Sequence, residues 1–333
     1  MLSVTSTAMA LWAAVSLQAV EPQVESAAQA AFDAVAQGYP ALNATVMVGD
    51  AIVWEAEGGQ ARQPQDGTAT DYNFYSIAKM LTGLAYLRLE QDGRLDLDTP
   101  VRSIDPDLPA HYDGVTVHQL LDHSAGVRHY TSEADWIGFS DRRCALPSDA
   151  LGHFIDDPLV TTPGYTTFGY VLLSHLLVTL TGQADFDAAM QDVLGEAYRA
   201  HTDREDAVKA TAWVGEAGDW QAYEDLSAEC KFGGGGLLAS ARDLAETGAA
   251  LYRGEIVDPA VLAEGPAYWA GRAEEVNLTY AAHSGGSPGG RAFLIVYLEP
   301  QVSVALTGNY DGENLQALAI TLADLFAGLP PAE

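Results

Sequence analysis

The sequence predicts an α+β protein in which one antiparallel sheet is assembled from both ends of the chain and a helical lobe is inserted between them. Three observations carry this reading. Two short β-type runs flank a Gly-Asp turn near the N-terminus, and a second pair flanks Glu299-Pro300-Gln301 near the C-terminus. Between them, apolar residues recur mostly at three- and four-residue spacing. An insertion of this kind leaves a cleft between body and lobe, which is where small-molecule sites usually form.

The elements follow in order. Ala8 to Val20 is an apolar run followed by Glu21-Pro22, and it reads as the core of a signal peptide over residues 1-22, implying a periplasmic or secreted protein. The first basic residue is Arg62, so a positive n-region is missing and a cytoplasmic chain is the alternative. Nothing approaches the roughly 18 consecutive apolar residues of a membrane span, so stable membrane insertion is not expected. Val24 to Gln37 has helical spacing, stopped by Gly38-Tyr39-Pro40. Ala44 to Val48 and Ile52 to Glu57 read as strands joined by Gly49-Asp50. Helical segments come next at Ile77 to Glu90, Val117 to Leu121, Tyr170 to Leu180, Phe186 to Leu194 and Ala239 to Tyr252. Gly-, Pro- and Asp-rich loops separate them. This places the helical lobe at about 81-230 of a single domain over 23-330. Arg291 to Leu298 and Val302 to Leu306 form the second hairpin, and Leu315 to Phe326 ends the pattern as a helix.

Composition narrows the partners. With 46 Asp and Glu against 16 Lys and Arg, the net charge of -30 repels phosphate backbones and anionic membranes, so nucleic acid is excluded as a partner. The acidity reads as solubility in a saline or exposed environment, leaving a small-molecule or peptide substrate as the expected ligand and the oligomeric state open. The two cysteines, Cys144 and Cys230, cannot build a zinc cage or a disulfide framework. They are two small hydrophobes or, in an exported chain, one disulfide.

Ser76-Ile77-Ala78-Lys79 opens a helix whose apolar residues Ile77, Met80, Leu81, Leu84 and Ala85 recur at helical spacing. A serine in the first turn and a lysine three residues on share one face, and the helix N-terminus favours a developing alkoxide. Alone, the pattern is weak and reads as a helix cap followed by a solvated lysine. Lys79, however, is one of only three lysines, with Lys209 and Lys231, and it lies in an apolar stretch where desolvation lowers an amine's pKa toward base chemistry.

S-x-x-K heads a three-part signature, so partners are required downstream. Pro163-Gly164-Tyr165-Thr166-Thr167-Phe168-Gly169-Tyr170 resembles the Tyr-x-Asn element of class C beta-lactamases and related peptidases. His283-Ser284-Gly285-Gly286 resembles their Lys/His-x-Gly element. Leu95 to Asp98, Leu120 to Val127, and Gly233 to Gly236 with Ser240 to Leu244 extend the agreement over nearly the whole chain after the leader. On these residues the sequence is identified as a member of the beta-lactamase-related serine hydrolases (peptidase family S12), which include the D-alanyl-D-alanine carboxypeptidases. Arg128-His129-Tyr130, Asp157-Pro158-Leu159 and Tyr165 to Tyr170 bring it nearest the branch that contains the mitochondrial serine beta-lactamase-like protein.

The resemblance implies a five-stranded antiparallel sheet flanked by helices, with an inserted all-helical lobe. It implies a serine hydrolase that forms an acyl-enzyme on a peptide-like amide or ester, with no metal or organic cofactor. Ser76 would attack the carbonyl, Lys79 and Tyr165 would move the proton, and the N–H groups of Ser76 and Gly286 would form the oxyanion hole. Thr167, Ser284 and Gly285 would border the substrate. His283 would line the wall opposite the nucleophile, on a strand whose edge can pair with a peptide-like substrate. Three departures stand out. Tyr165 directly follows Pro163-Gly164, where the family has about four intervening residues, so the approach loop is short. Thr167 replaces the usual Asn, and His283 replaces the Lys of true beta-lactamases. These shift the expectation toward a peptidase or esterase rather than an efficient beta-lactamase.

Rival readings are weaker. Gly285-Gly286-Ser287-Pro288-Gly289 matches the G-x-S-x-G elbow of α/β-hydrolases, but Ser287 leads into a strand and no histidine follows it. His118, His123, His129 and His153 lack the paired spacing and partner Glu of a metal hydrolase. A binding or assembly protein that kept the fold is the alternative from another class, yet such a chain has little reason to retain Ser76, Lys79 and Tyr165 together.

Overall fold

Six antiparallel strands make up the main sheet of the computed structural model, which describes residues 20–63, 66–205, 207–223, 228–264, 268–273 and 278–330. Their order across the sheet is Ala51–Gly58, Leu42–Val48, Val302–Gly308, Gly290–Tyr297, Leu278–Ser287 and Ala270–Ala273. The two ends of the chain thus meet in the middle, with Val46 opposite Val304. The resemblance implied five strands; the sixth, Ala270–Ala273, pairs with the first part of Leu278–Ser287 and leaves the remainder of that edge open. The expected leader over 1-22 falls almost wholly outside the described residues.

Period-two alternation gives the sheet two buried faces. Val46, Val302, Val304 and Leu306 pack with Phe32, Leu318 and Leu322 of the terminal helices Pro22–Ala36 and Gln316–Ala327. Ala281, Leu294, Val296 and Ala305 face the opposite way, into the larger core shared with Ala241–Tyr252 and Ile77–Gln91. Ile77–Gln91 is buried on almost every side, Lys79 and Thr82 included, as befits the central helix of a large core. Around it lie Val117–Leu121, Glu133–Ser140, Thr167–Thr181 and Phe186–Leu194. Among the described residues, no helix is long and apolar enough to cross a membrane.

The helix expected from Tyr170 begins three residues earlier. The Thr166 hydroxyl accepts the Gly169 N–H and caps Thr167–Thr181, which moves Thr167 into the first turn beside the cleft. Cys144 and Cys230 are joined by a disulfide across 86 residues of chain, with their Cα atoms 5.2 Å apart. It ties the loop after Glu133–Ser140 to the glycine-rich segment Glu229–Gly234. A crosslink over so long a loop removes much denatured-state entropy, so the double variant Cys144→Ser/Cys230→Ser is expected to lose about 2–5 kcal/mol of stability. Denaturant midpoints of the two proteins measure this, and a midpoint unchanged by the substitutions would refute it.

Candidate active site

The site starts at a strained turn. Tyr72–Asn73 forms a short strand against Leu237–Ala239, and the Asn73 side-chain oxygen then accepts the Tyr75 N–H at 2.7 Å. This holds Tyr75 at φ +49°, a left-handed conformation that a bulky residue adopts only under constraint. Ser76 emerges at the start of Ile77–Gln91, and its side chain makes no helix-capping bond. Its Oγ instead receives a hydrogen bond from Lys79 Nζ at 3.2 Å.

Lys79 is wholly buried. Among the described residues its amine bonds only to neutral acceptors: Ser76 Oγ, Thr167 Oγ1 at 3.4 Å and the Gly234 carbonyl at 2.5 Å. Burial, and after it the charge of Lys231, holds the amine well below its ordinary pKa. Gly234 can present its carbonyl so closely because it has no side chain; a Cβ there would stand 2.8 Å from the Thr167 carbonyl oxygen.

Tyr165 lies directly over this amine, with its ring centroid 4.8 Å from Lys79 Nζ and its hydroxyl hydrogen-bonded to Ser76. Although 42% of the residue is exposed, the phenol end is enclosed, and burial raises its pKa to about 12, partly offset by the bond to Ser76. The short approach loop therefore still delivers Tyr165 to the nucleophile. Two histidines explain how. His123 Nδ1 accepts the Thr166 N–H at 3.2 Å and His129 Nδ1 accepts the Thr167 N–H at 3.3 Å, pinning the backbone immediately after Tyr165. Both bonds need an unprotonated Nδ1, and burial followed by the Lys79 charge lowers His123 to about 3 and His129 to about 4. His123 also stacks on Tyr165 at 4.7 Å.

The opposite wall is Leu278–Ser287. Its hairpin with Gly290–Tyr297 closes through Pro288-Gly289, pairing Ser287 with Gly290. Antiparallel alternation then points the N–H and C=O groups of Gly286, Ser284 and Ala282 toward the outer edge. The Ala282 N–H meets the Trp269 carbonyl there at 2.8 Å, whereas Gly286 and Ser284 lie beyond the sixth strand. Gly285 turns toward the nucleophile, where a Cβ would stand 2.0 Å from the Phe74 carbonyl oxygen and 3.3 Å from the Ser76 nitrogen. His283 Nδ1 lies 2.5 Å from the Ser284 carbonyl and Nε2 lies 2.7 Å from the Tyr268 hydroxyl. The carbonyl requires the proton on Nδ1, so the phenol donates to Nε2. Desolvation lowers His283 to about 4, with the Ser284 bond partly opposing and the Lys79 charge assisting.

The fold therefore brings Ser76, Lys79, Tyr165, Thr167, His283, Ser284, Gly285 and Gly286 to one cleft. Tyr268 carries no motif and was not singled out by sequence; Gly234 lies in the Gly233 to Gly236 stretch of the resemblance, but its carbonyl had no assigned role, and neither had His123 and His129. Ser287 sits in a hairpin turn rather than a strand-turn-helix elbow. His153 pairs with Asp135 at 2.7 Å, and no cluster of three metal-ligating side chains occurs among the described residues.

The beta-lactamase family model matches residues 18–328. Protein flp of Staphylococcus aureus is 30% identical over 123 residues, covering 34% of this chain and 24% of that protein, so the match spans about a quarter of the relative's length. Among solved structures, the fold is similar to a D-stereospecific amidohydrolase from Streptomyces sp. (TM-score 0.70, 22% identity, 92% of this chain and 99% of the other). It is also similar to the octameric penicillin-binding protein homologue from Pyrococcus abyssi (TM-score 0.72, 22% identity, 93% of this chain and 78% of the other).

Proposed function

We propose that this chain, which belongs to the beta-lactamase family, is a serine hydrolase that cleaves an amide or ester through an acyl-enzyme on Ser76. The observation that carries the reading is the wholly buried Lys79 amine, 3.2 Å from Ser76 Oγ and bonded, among the described residues, to neutral acceptors alone. A serine hydroxyl is a weak nucleophile at neutral pH, and an amine kept neutral by burial is the base that can activate it.

Ser76 Oγ attacks the carbonyl carbon and its proton passes to Lys79. The Ser76 N–H and the outward-pointing Gly286 N–H receive the developing oxyanion. Tyr165, protonated at neutral pH as a phenol ordinarily is and held the more firmly so by burial, gives a proton to the departing oxygen or nitrogen and is re-protonated from Lys79. Water, activated by the same pair, then releases the acid. The departures at Thr167 and His283 support a peptidase, amidase or esterase over an efficient beta-lactamase. The Cys144–Cys230 disulfide supports a periplasmic or extracellular location, since such bonds persist in oxidising compartments.

Intact-protein mass after treatment with a fluorophosphonate tests the reading. One adduct is expected, mapped to Ser76 and absent from Ser76→Ala. A protein that stays unlabelled, or is labelled at another serine, refutes it.

A further inference from the structure

Two cavities lie beside the cleft, one bordered by the nucleophile turn and one by Tyr165, and they differ in chemistry. One, of about 340 Å³, is lined by Asn73 and Tyr75 of the nucleophile turn and by Gly289 of the hairpin, and its wall carries Arg143, Asp203, Arg204, Glu205 and Lys209. The other, of about 400 Å³, is lined by Tyr165, Tyr268, Trp269, Tyr280, Phe293 and His283, with only small or neutral polar residues completing it. Among the described residues that line this second cavity there is no Lys, Arg, Asp or Glu.

The acyl-enzyme reading, on which this inference rests, fixes which cavity takes which half of the substrate. The leaving group must receive its proton from Tyr165, so it departs on the Tyr165 side, into the second cavity. The acyl portion then extends the other way, past Gly286 toward Gly289 and the charged cavity.

We propose that the leaving-group side selects neutral aromatic or apolar alcohols and amines and rejects leaving groups that carry a carboxylate. Tyr165 and Tyr268 border this space from the nucleophile side and are two of the few large hydrophobic residues left substantially exposed, while Tyr280 and Phe293 line it from the sheet face that packs on the terminal helices. Exposed aromatic faces grouped in one concave site favour a ring or hydrocarbon. A carboxylate placed there would be desolvated without a cation to meet it. His283 does not supply one, because its two nitrogens are already engaged by the Ser284 carbonyl and the Tyr268 hydroxyl. Lys79, the neighbouring amine, is committed to Ser76, Thr167 and Gly234. Around the sheet edge the space adjoins a cavity of about 360 Å³ on the terminal-helix face, which shares Tyr280, Ala282, Phe293 and Gln316 and is lined further by Leu278, Ile320 and Asp324. The chain would thus release neutral alcohols or amines from esters or amides rather than trim a free C-terminal amino acid.

The reaction balances simply. The Ser76 Oγ–carbonyl bond forms and the carbonyl–leaving-group bond breaks. The leaving group gains one proton and departs neutral, and water returns the serine hydroxyl and a free acid.

The experiment keeps the acyl group constant as hippuryl and varies the alcohol among 2-phenylethanol, ethanol and both enantiomers of phenyllactate, reading kcat/KM by product chromatography. The 2-phenylethyl ester is expected to exceed the ethyl ester about threefold to tenfold, and the phenyllactate esters to fall at least about a hundredfold below it. Tyr268→Ala is expected to erase the preference for the ring, while Tyr268→Phe, which keeps the ring, retains it. In parallel, free 2-phenylethanol is expected to slow fluorophosphonate labelling of Ser76 and phenyllactate is not, a readout that needs no turnover of the chosen acyl group. Phenyllactate esters hydrolysed as well as the 2-phenylethyl ester, or equal protection by the two free alcohols, would overturn the inference while leaving the acyl-enzyme intact. Absence of any labelling removes the acyl-enzyme and this inference with it.

Discussion

Lys79→Ala and Tyr165→Phe are each expected to lower kcat/KM by about a hundredfold to ten-thousandfold, the range general acid–base assistance usually supplies. The two residues act on one proton. Lys79 Nζ and the Tyr165 hydroxyl both bond to Ser76, so removing either interrupts the same relay. The double variant should therefore cost far less than the product of the single losses, because groups that work as a unit are not additive. Circular dichroism separates lost chemistry from lost fold, a necessary control because Lys79→Ala leaves the buried Gly234 carbonyl without its donor. The pH profile adds a second signature. Burial depresses the Lys79 pKa, so the amine is neutral over a pH range where a free lysine is charged. As pH falls through that depressed value, Lys79 gains a proton and can no longer accept one from Ser76, and activity falls. His283 and His129, near 4, and His123, near 3, gain protons only in strongly acidic solution, and Tyr165, near 12, stays protonated. Any acid limb of wild type that lies above the titration of these histidines should accordingly vanish from the residual activity of Lys79→Ala. An acid limb that persists unchanged there, or near-native turnover by Tyr165→Phe, would assign the proton to another group.

Much of this arrangement was legible because it is local. Ser76 and Lys79 share a helix face, and the helix they open is mostly apolar over its first three turns, so both the pairing and the depressed lysine follow from spacing and composition. The two terminal hairpins were equally plain, since alternating apolar residues flank short turns. Leu278–Ser287 is another matter: Ser284-Gly285-Gly286-Ser287 has poor strand propensity, and only the resemblance pointed to it. Its partner Ala270–Ala273 is short and weakly patterned, and it was missed. The site residues that escaped notice act through tertiary contacts. His123 and His129 hold backbone groups 43 and 38 residues away, a relation no local pattern encodes. Gly234 contributes a carbonyl, which every residue possesses. These contacts also account for how Tyr165 reaches the nucleophile despite the short loop before it, because the histidines fix the chain after the tyrosine rather than before it.

Gly285→Ala is expected to lower kcat/KM about a hundredfold to a thousandfold, the cost of losing one oxyanion-hole donor, although it adds a single methyl group and removes no reacting atom. At Gly285 the added carbon would lie 2.0 Å from the Phe74 carbonyl oxygen and 3.3 Å from the Ser76 nitrogen. Both are backbone atoms, so no rotamer change relieves the overlap, and either the strand or the nucleophile turn must retreat. The turn resists, since Tyr75 is held at φ +49° by the bond from its N–H to Asn73 and is buried against Gly290. The strand edge therefore moves away, carrying the Gly286 N–H out of register with the Ser76 N–H. Gly286→Ala provides the contrast. The three atoms nearest its added carbon all belong to the Arg291 side chain, with Nη1 at 2.5 Å and Cδ at 3.3 Å, and a side chain can shift where backbone cannot, although Arg291 is ion-paired to Asp311. The loss at Gly286 should therefore be much the smaller, even though Gly286 supplies the donor and Gly285 does not. Fluorophosphonate labelling should slow in the same order, because the phosphonyl oxygen occupies the same hole, while thermal melts show whether each variant remains folded. A folded Gly285→Ala enzyme with near-native kcat/KM would mean that the strand does not depend on this contact to place its N–H opposite the serine, and the oxyanion would then have to be stabilised by other groups.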